Sequence, residues 1–186
     1  MAVMITNNQI GYILIEENNG IYRGVALVTD FRGIPLDFRY TDPIKPTRIE
    51  QILYGGALDV YLKEELILSN LLDSIEVKPG VWICRNDSLL VPLRKLSKIP
   101  TLTLSVTSRP FLEQTGDVEP QPENGVFILQ ADAMGSPLRL RLSEEYSSEI
   151  DSVASFLVEV AKTMELSEPF SRIEKALKVI DDEQTN

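Results

Sequence analysis

Histidine is absent from this chain of 186 residues. That removes the commonest general base near neutral pH, the commonest zinc ligand, and every Ser-His or Cys-His dyad. Any catalysis has to rest on carboxylates, Lys, Tyr, a thiol or a carboxylate-bound metal. Cysteine is nearly absent as well. Cys84 stands alone, so no intrachain disulfide can form, and a reducing compartment, the cytoplasm, is the expected location. The start MAVMITNNQIGYILIEE has no Lys or Arg ahead of its apolar residues, so no secretory signal is expected. No apolar run approaches the roughly 20 residues needed to cross a bilayer, and no membrane partner is expected. No phosphate-binding glycine loop is present either, because Gly55-Gly56 lacks a following Lys with Ser or Thr at the required spacing.

Charge is distributed unevenly. Residues 1–110 hold 12 Lys plus Arg against 12 Asp plus Glu, whereas residues 111–186 hold 6 against 16, so the net charge of −10 belongs to the second part. Within the first part, residues 77–110 contain Lys78, Arg85, Arg94, Lys95, Lys98 and Arg109 against Asp87 alone. That stretch is locally basic.

What is present is mostly architecture. The pattern Asp-x-x-Gly-x-Pro-Leu-x-(Phe/Leu)-Arg occurs twice, from Asp30 through Gly33, Pro35 and Arg39, and from Asp132 through Gly135, Pro137 and Arg141. Turn chemistry explains each copy: Asp bonds local backbone, Gly takes a left-handed conformation, and Pro sets the return strand. The repeat predicts equivalent left-handed turns at Gly33 and Gly135, and a possible pseudo-twofold pair of strand-turn-strand-helix units.

Around these turns, residues 11–17 and 21–30 read as strands joined by a tight Asn18-Asn19-Gly20 turn, and residues 36–41 as a third strand of a meander. Thr47-Arg48-Ile49-Glu50 has the form of a capping box. Ile49, Ile52 and Leu53 share a face of the helix it opens, and the paired glycines predict a kink before helical spacing resumes at Val60. Residues 81–84 and 88–91 read as short strands, and 101–107 as another. Residues 126–142 read as a second hairpin, followed by a helix from about Ser148 and another opened by Ser167-Glu168-Pro169, before a polar tail at 181–186.

The predicted class is α+β, with mainly antiparallel strands packed by helices. Its organisation is a first part at 1–108, an acidic, proline-bearing loop or linker at 109–124, and a hairpin with two helices at 125–186 packed with the first part as one domain.

No residue pattern names a reaction, and no cofactor is expected. The leading expectation is a non-catalytic regulatory or scaffolding subunit acting by protein association, as a homodimer, motivated by the charge split and the acidic loop. The alternative is binding of nucleic acid or another anionic ligand through the basic stretch, with Arg85, Arg94, Lys95 and Lys98 as contacts and Trp82 available for stacking. A weaker third reading is a metal-dependent phosphoesterase in which Asp30 and Asp132 share a divalent cation. Cys84 and Trp82 read more simply as buried strand residues.

Overall fold

The strand and helix patterns assemble into one eight-stranded sheet with order β3-β2-β1-β4-β5-β8-β7-β6 in a computed structural model that describes residues 5–185. Strands β1 (Gln9–Asn18) and β2 (Ile21–Asp30) form the predicted hairpin, closed by Asn19 and Gly20 at φ +53° and +73°. β3 (Pro35–Tyr40) completes the meander, with a bulge at Val28/Thr29. The chain then crosses over, so that β4 (Val81–Cys84) and β5 (Thr101–Val106) lie parallel to β1. β6 (Val118–Pro120), β7 (Val126–Leu129) and β8 (Leu138–Leu142) finish the sheet in antiparallel fashion, through the β5–β8 pairing. The α+β, mostly antiparallel expectation holds, with a parallel centre.

The first crossover opens with α1 (Arg48–Tyr54), started by the predicted box: the Glu50 amide donates to Thr47 Oγ1 at 3.2 Å, and the Thr47 amide donates to Glu50 Oε2 at 2.6 Å. The rod breaks at Gly55, whose φ is +51°, and resumes as α2 (Leu58–Val60), a π-helical segment at Tyr61–Leu68 and α3 (Ser69–Ser74). This break leaves α1 off the sheet. Ile49, Ile52 and Leu53 are 67%, 69% and 78% exposed, so the face they share is not a core face.

Residues 88–91 are helical, which corrects their reading as a strand. A 3-10 turn at Asp87–Leu89 leads into α4 (Leu90–Leu96), where Leu89, Leu90 and Leu93 fall on one buried side and Pro92 sits in the first turn, where its missing N–H costs nothing. α5 spans Ile150–Ala161 after a 3-10 run at Glu144–Glu149, and no Ser148 side chain caps it. α6 runs from Glu168 to Thr185, so the expected polar tail is helical over 181–185, its last residue lying outside the described ones, and an Arg23–Asp181 ion pair anchors it.

Two cores follow from strand alternation. Ile10, Tyr12, Leu14, Val25, Leu27, Val81 and Ile83 face α5 and α6, together with Leu102, Leu140 and Leu142. Ile13, Ile15, Ala26, Val28, Trp82 and Cys84 face the π segment, α3 and α4. Gly11 permits this second layer to close, because a Cβ there would meet the Trp82 ring at 2.3 Å. The second core contains no residue of β5, β6, β7 or β8. On that half of the sheet α4 still packs against β5, but the apolar second core stops there.

Candidate nucleic-acid interface

β1, β4 and β5 are parallel and end on the same side of the sheet, the side on which open α/β sheets collect their ligands. Arg85-Asn86-Asp87 leaves β4 there. Asp87 turns toward the polar face of β5 and β8: its Oδ1 accepts from Thr103 Oγ1 at 2.5 Å, and its Oδ2 lies 3.0 Å from Arg141 Nε. The Leu-Arg-Leu-Arg-Leu alternation of β8 sends its leucines into the first core and Arg139 and Arg141 to the opposite face. Both guanidiniums donate to Glu123, Arg139 at 2.9 Å to Oε2 and Arg141 to Oε1. Arg94, in the last turn of α4, lies 3.3 Å from Glu145.

Between α4 and β8 these groups border a cleft of about 400 Å³, with Arg94, Arg141, Asn124 and Ser143 among its lining residues and Leu90, Val91 and Leu142 as its apolar wall. Charged groups of both signs meet here, so the cleft is a place for a polar ligand. It is not a bare cationic patch.

No family model matches the sequence, and no curated protein matches it. Solved structures do. Endonuclease V from Bacillus subtilis superposes with a TM-score of 0.54 at 14% identity, over 100% of this chain and 86% of that one. Endonuclease V from Streptomyces avermitilis gives 0.55 at 14% identity, over 93% and 82%. The chain has an endonuclease V-like fold. This finding corrects the leading expectation of a non-catalytic scaffolding or regulatory subunit acting by protein association, because these two proteins that share the fold are by name endonucleases.

Within the endonuclease V-like fold the four basic residues anticipated for a ligand do not share one face. Arg94 lines the cleft. Lys95 points along α4 to Glu64, 3.9 Å away. Lys98 is exposed beyond the end of α4, without an ion-pair partner among the described residues. Arg85 crosses to the other layer, where it donates to Glu174 at 3.0 Å and sits 5.2 Å from the Phe170 ring centroid. Arg94 and Lys95 leave neighbouring positions of α4, about 100° apart around its axis, while Arg85 and Lys98 lie beyond the ends of β4 and α4, so a basic stretch contiguous in sequence scatters in space. Sequence reasoning passed over Arg139, Asp87, Asn124 and Ser143, and treated Arg141 only as the end of a turn motif. The signal that could have found the arginines is the strict alternation of residues 138–142.

The two aspartates are not brought together. The register places Asp30 opposite Gln9, at the amino end of β1, whereas Asp132 follows the carboxyl end of β7, on the other side of the sheet. Each serves its own turn. Asp30 accepts from the Ile34 amide at 2.9 Å and the Arg32 amide at 2.8 Å, and from the Arg32 guanidinium. Desolvation pushes the Asp30 carboxyl up, and the Ile34 and Arg32 donors more than offset it, leaving it below its ordinary value. Asp132 Oδ1 accepts from the amides of Met134 at 2.8 Å and Gly135 at 2.5 Å.

The turns themselves differ. Gly33 has φ +82°, but Gly135 is not among the left-handed glycines, so the predicted equivalence fails. Asp132 satisfies the Gly135 amide with its side chain, whereas Gly33 bonds the Asp30 carbonyl at 3.0 Å through a backbone turn. Pro35 opens β3, and the Pro137 carbonyl, just before β8, accepts from Thr107 Oγ1 at 2.7 Å.

Among the described residues no three His, Cys, Asp or Glu side chains stand together closely enough to hold a metal ion. Cys84 is buried, and its thiol is pushed up to about 12, first by burial and then by Asp87, which leaves it protonated and unreactive. Trp82 is core, 1% exposed, and has no face free for stacking. No helix among the described residues is long and apolar enough to cross a membrane.

Proposed function

We propose that this protein binds nucleic acid through the arginine-bearing face of β8 and the adjoining cleft against α4. The observation that carries the reading is that Arg94 and Arg141 line one cleft while Arg139 stands two residues from Arg141 on the same side of β8, a side the second core does not reach. A guanidinium presents a planar fork of donors that matches phosphate oxygens, and a pair of them two residues apart on a strand, roughly 7 Å, spans successive positions along a backbone. The endonuclease V-like fold supports this reading.

Glu123 engages both Arg139 and Arg141, and a phosphate arriving at this face replaces one carboxylate by another anion. The overall charge of −10 opposes long-range attraction, so binding depends on short-range contacts and falls steeply with salt. Titration of fluorescent single- and double-stranded oligonucleotides at low salt tests the proposal. Saturable binding that weakens linearly in log salt is expected. The absence of any binding to either form at low salt ends it.

A further inference from the structure

Two polar atoms at the cleft are buried yet have no hydrogen-bond partner: Ser143 Oγ and Arg141 Nε. Arg141 Nε lies 3.0 Å from Asp87 Oδ2, but the contact is an ion pair without the alignment of a hydrogen bond. Buried polar groups left unspent are uncommon, and two of them on one cleft call for an occupant. Ser143 follows β8 with extended backbone, φ −62° and ψ 147°, so positions 141 and 143 share a side of the strand, roughly 7 Å apart. That separation suits one tetrahedral anion accepting a hydrogen bond from each.

We infer that this cleft receives the phosphate of a single nucleotide unit, either a nucleoside monophosphate or the phosphorylated end of a strand. The inference rests on the proposed nucleic-acid binding and names the part of the polymer this site takes. Arg94 and Asn124 supply further donors on the same walls. A cleft of about 400 Å³ falls within the size range of small-molecule sites, too small for a duplex. Asp87 and Glu144 at its border offer acceptors to sugar hydroxyls, while Leu90, Val91 and Leu142 give an apolar surface for a base or sugar face. A backbone that runs along the β8 face past Arg139 ends here, because the cleft has room for one nucleotide unit. A terminal phosphate fits it well.

The test compares three labelled single strands of one sequence, ending in a 5′-phosphate, a 3′-phosphate or hydroxyls only, by fluorescence anisotropy. One phosphorylated end is expected to bind about tenfold more tightly than the hydroxyl-ended strand, the worth of charge-assisted hydrogen bonds. Ser143→Ala, which removes no existing hydrogen bond and so keeps its melting temperature, is expected to cut that preference to about threefold or less. Arg141→Lys should do the same, because it keeps the charge and loses the fork. Competition by adenosine and uridine monophosphates separates the two sources: effective competition identifies a mononucleotide ligand, and competition by the phosphorylated strand alone identifies a strand end.

Equal affinity for all three strands overturns the inference and leaves the broader reading standing. A preference untouched by either substitution also overturns it, since the phosphate then sits elsewhere. If no strand binds, the broader reading fails, and absence of thermal stabilisation by the monophosphates removes the inference with it.

Discussion

The two halves of the sheet present the same kind of apolar surface to α5 and α6 but differ on their other face. On the β2-β1-β4 side that second face is Ile13, Ala26, Val28, Trp82 and Cys84, sealed under the π segment, α3 and α4. On the β5-β8 side the corresponding positions are Thr103, Arg139 and Arg141, polar side chains that the second core does not reach. The strands record this difference in their periodicity. GYILI is apolar throughout because both of its faces are buried, whereas LRLRL alternates because only one is. One half of the sheet buries apolar side chains on both faces, and the other keeps charged side chains on one.

Substitution at paired positions is the strongest way to break this comparison. Ile13→Ala, which empties a position 0% exposed, is expected to cost about 2–5 kcal/mol in urea denaturation. Arg139→Ala, on a side chain 34% exposed, should cost less than about 1 kcal/mol. Equal costs would mean that the two halves contribute alike to stability. The reverse asymmetry is expected in binding: Arg141→Ala should weaken oligonucleotide affinity about tenfold and reduce the salt slope by about 1, measured across a salt series.

Acid stability sharpens the contrast next. Asp37 is only 6% exposed at its side chain and ties β3 to the segment before β4, accepting from the Glu76 amide at 2.7 Å and from Arg39 Nε at 2.8 Å. Burial pushes its carboxyl up, but the Glu76 and Val77 amides and Arg39 more than offset this, and the net displacement is downward. A carboxyl lowered in the folded state adds stability above its unfolded value near pH 4 and loses it as pH falls through the folded value. Asp37→Asn should therefore flatten the stability profile below about pH 4 and cost about 1 kcal/mol at neutral pH. A wild-type acid limb retained in that variant would locate the sensitivity elsewhere. The smallest effect is expected at Glu123. Glu123→Gln frees Arg139 and Arg141 and should raise oligonucleotide affinity about two- to threefold, since a half-exposed ion pair is worth under about 1 kcal/mol; unchanged or weaker binding would show that the carboxylate does not compete.

Local chemistry was legible in the sequence where it acts over a few residues. The Asn18-Asn19-Gly20 hairpin, the Thr47 box, the break at Gly55 and the apolar spacing of α5 can all be read from short windows, because each is decided by neighbours in the chain. The insertion of β4 between β1 and β5 cannot, since that partnership joins Ile10 to Val81 across the whole first crossover. Residues 88–91 misled for a related reason: a four-residue apolar run fits a strand or a buried helix turn equally well, and only packing against the second core decides. The interface was half legible. Its basic residues were counted along the chain, whereas the turn after β4 and the helix α4 disperse them, keeping Arg94 near Arg141 and sending Arg85 to α6.

The parallel centre also sets the order of assembly. β1 with β2 and β7 with β8 are hairpins of adjacent segments, which close on a microsecond scale. β4 has four residues, all buried, and takes its partners on both sides from distant parts of the chain. Its seating must wait for the crossover to fold back. The expected slow step of folding is thus the arrival of its shortest fully interior strand, and until that step the two sheet edges meant for Val81 to Cys84 stand open to any other strand.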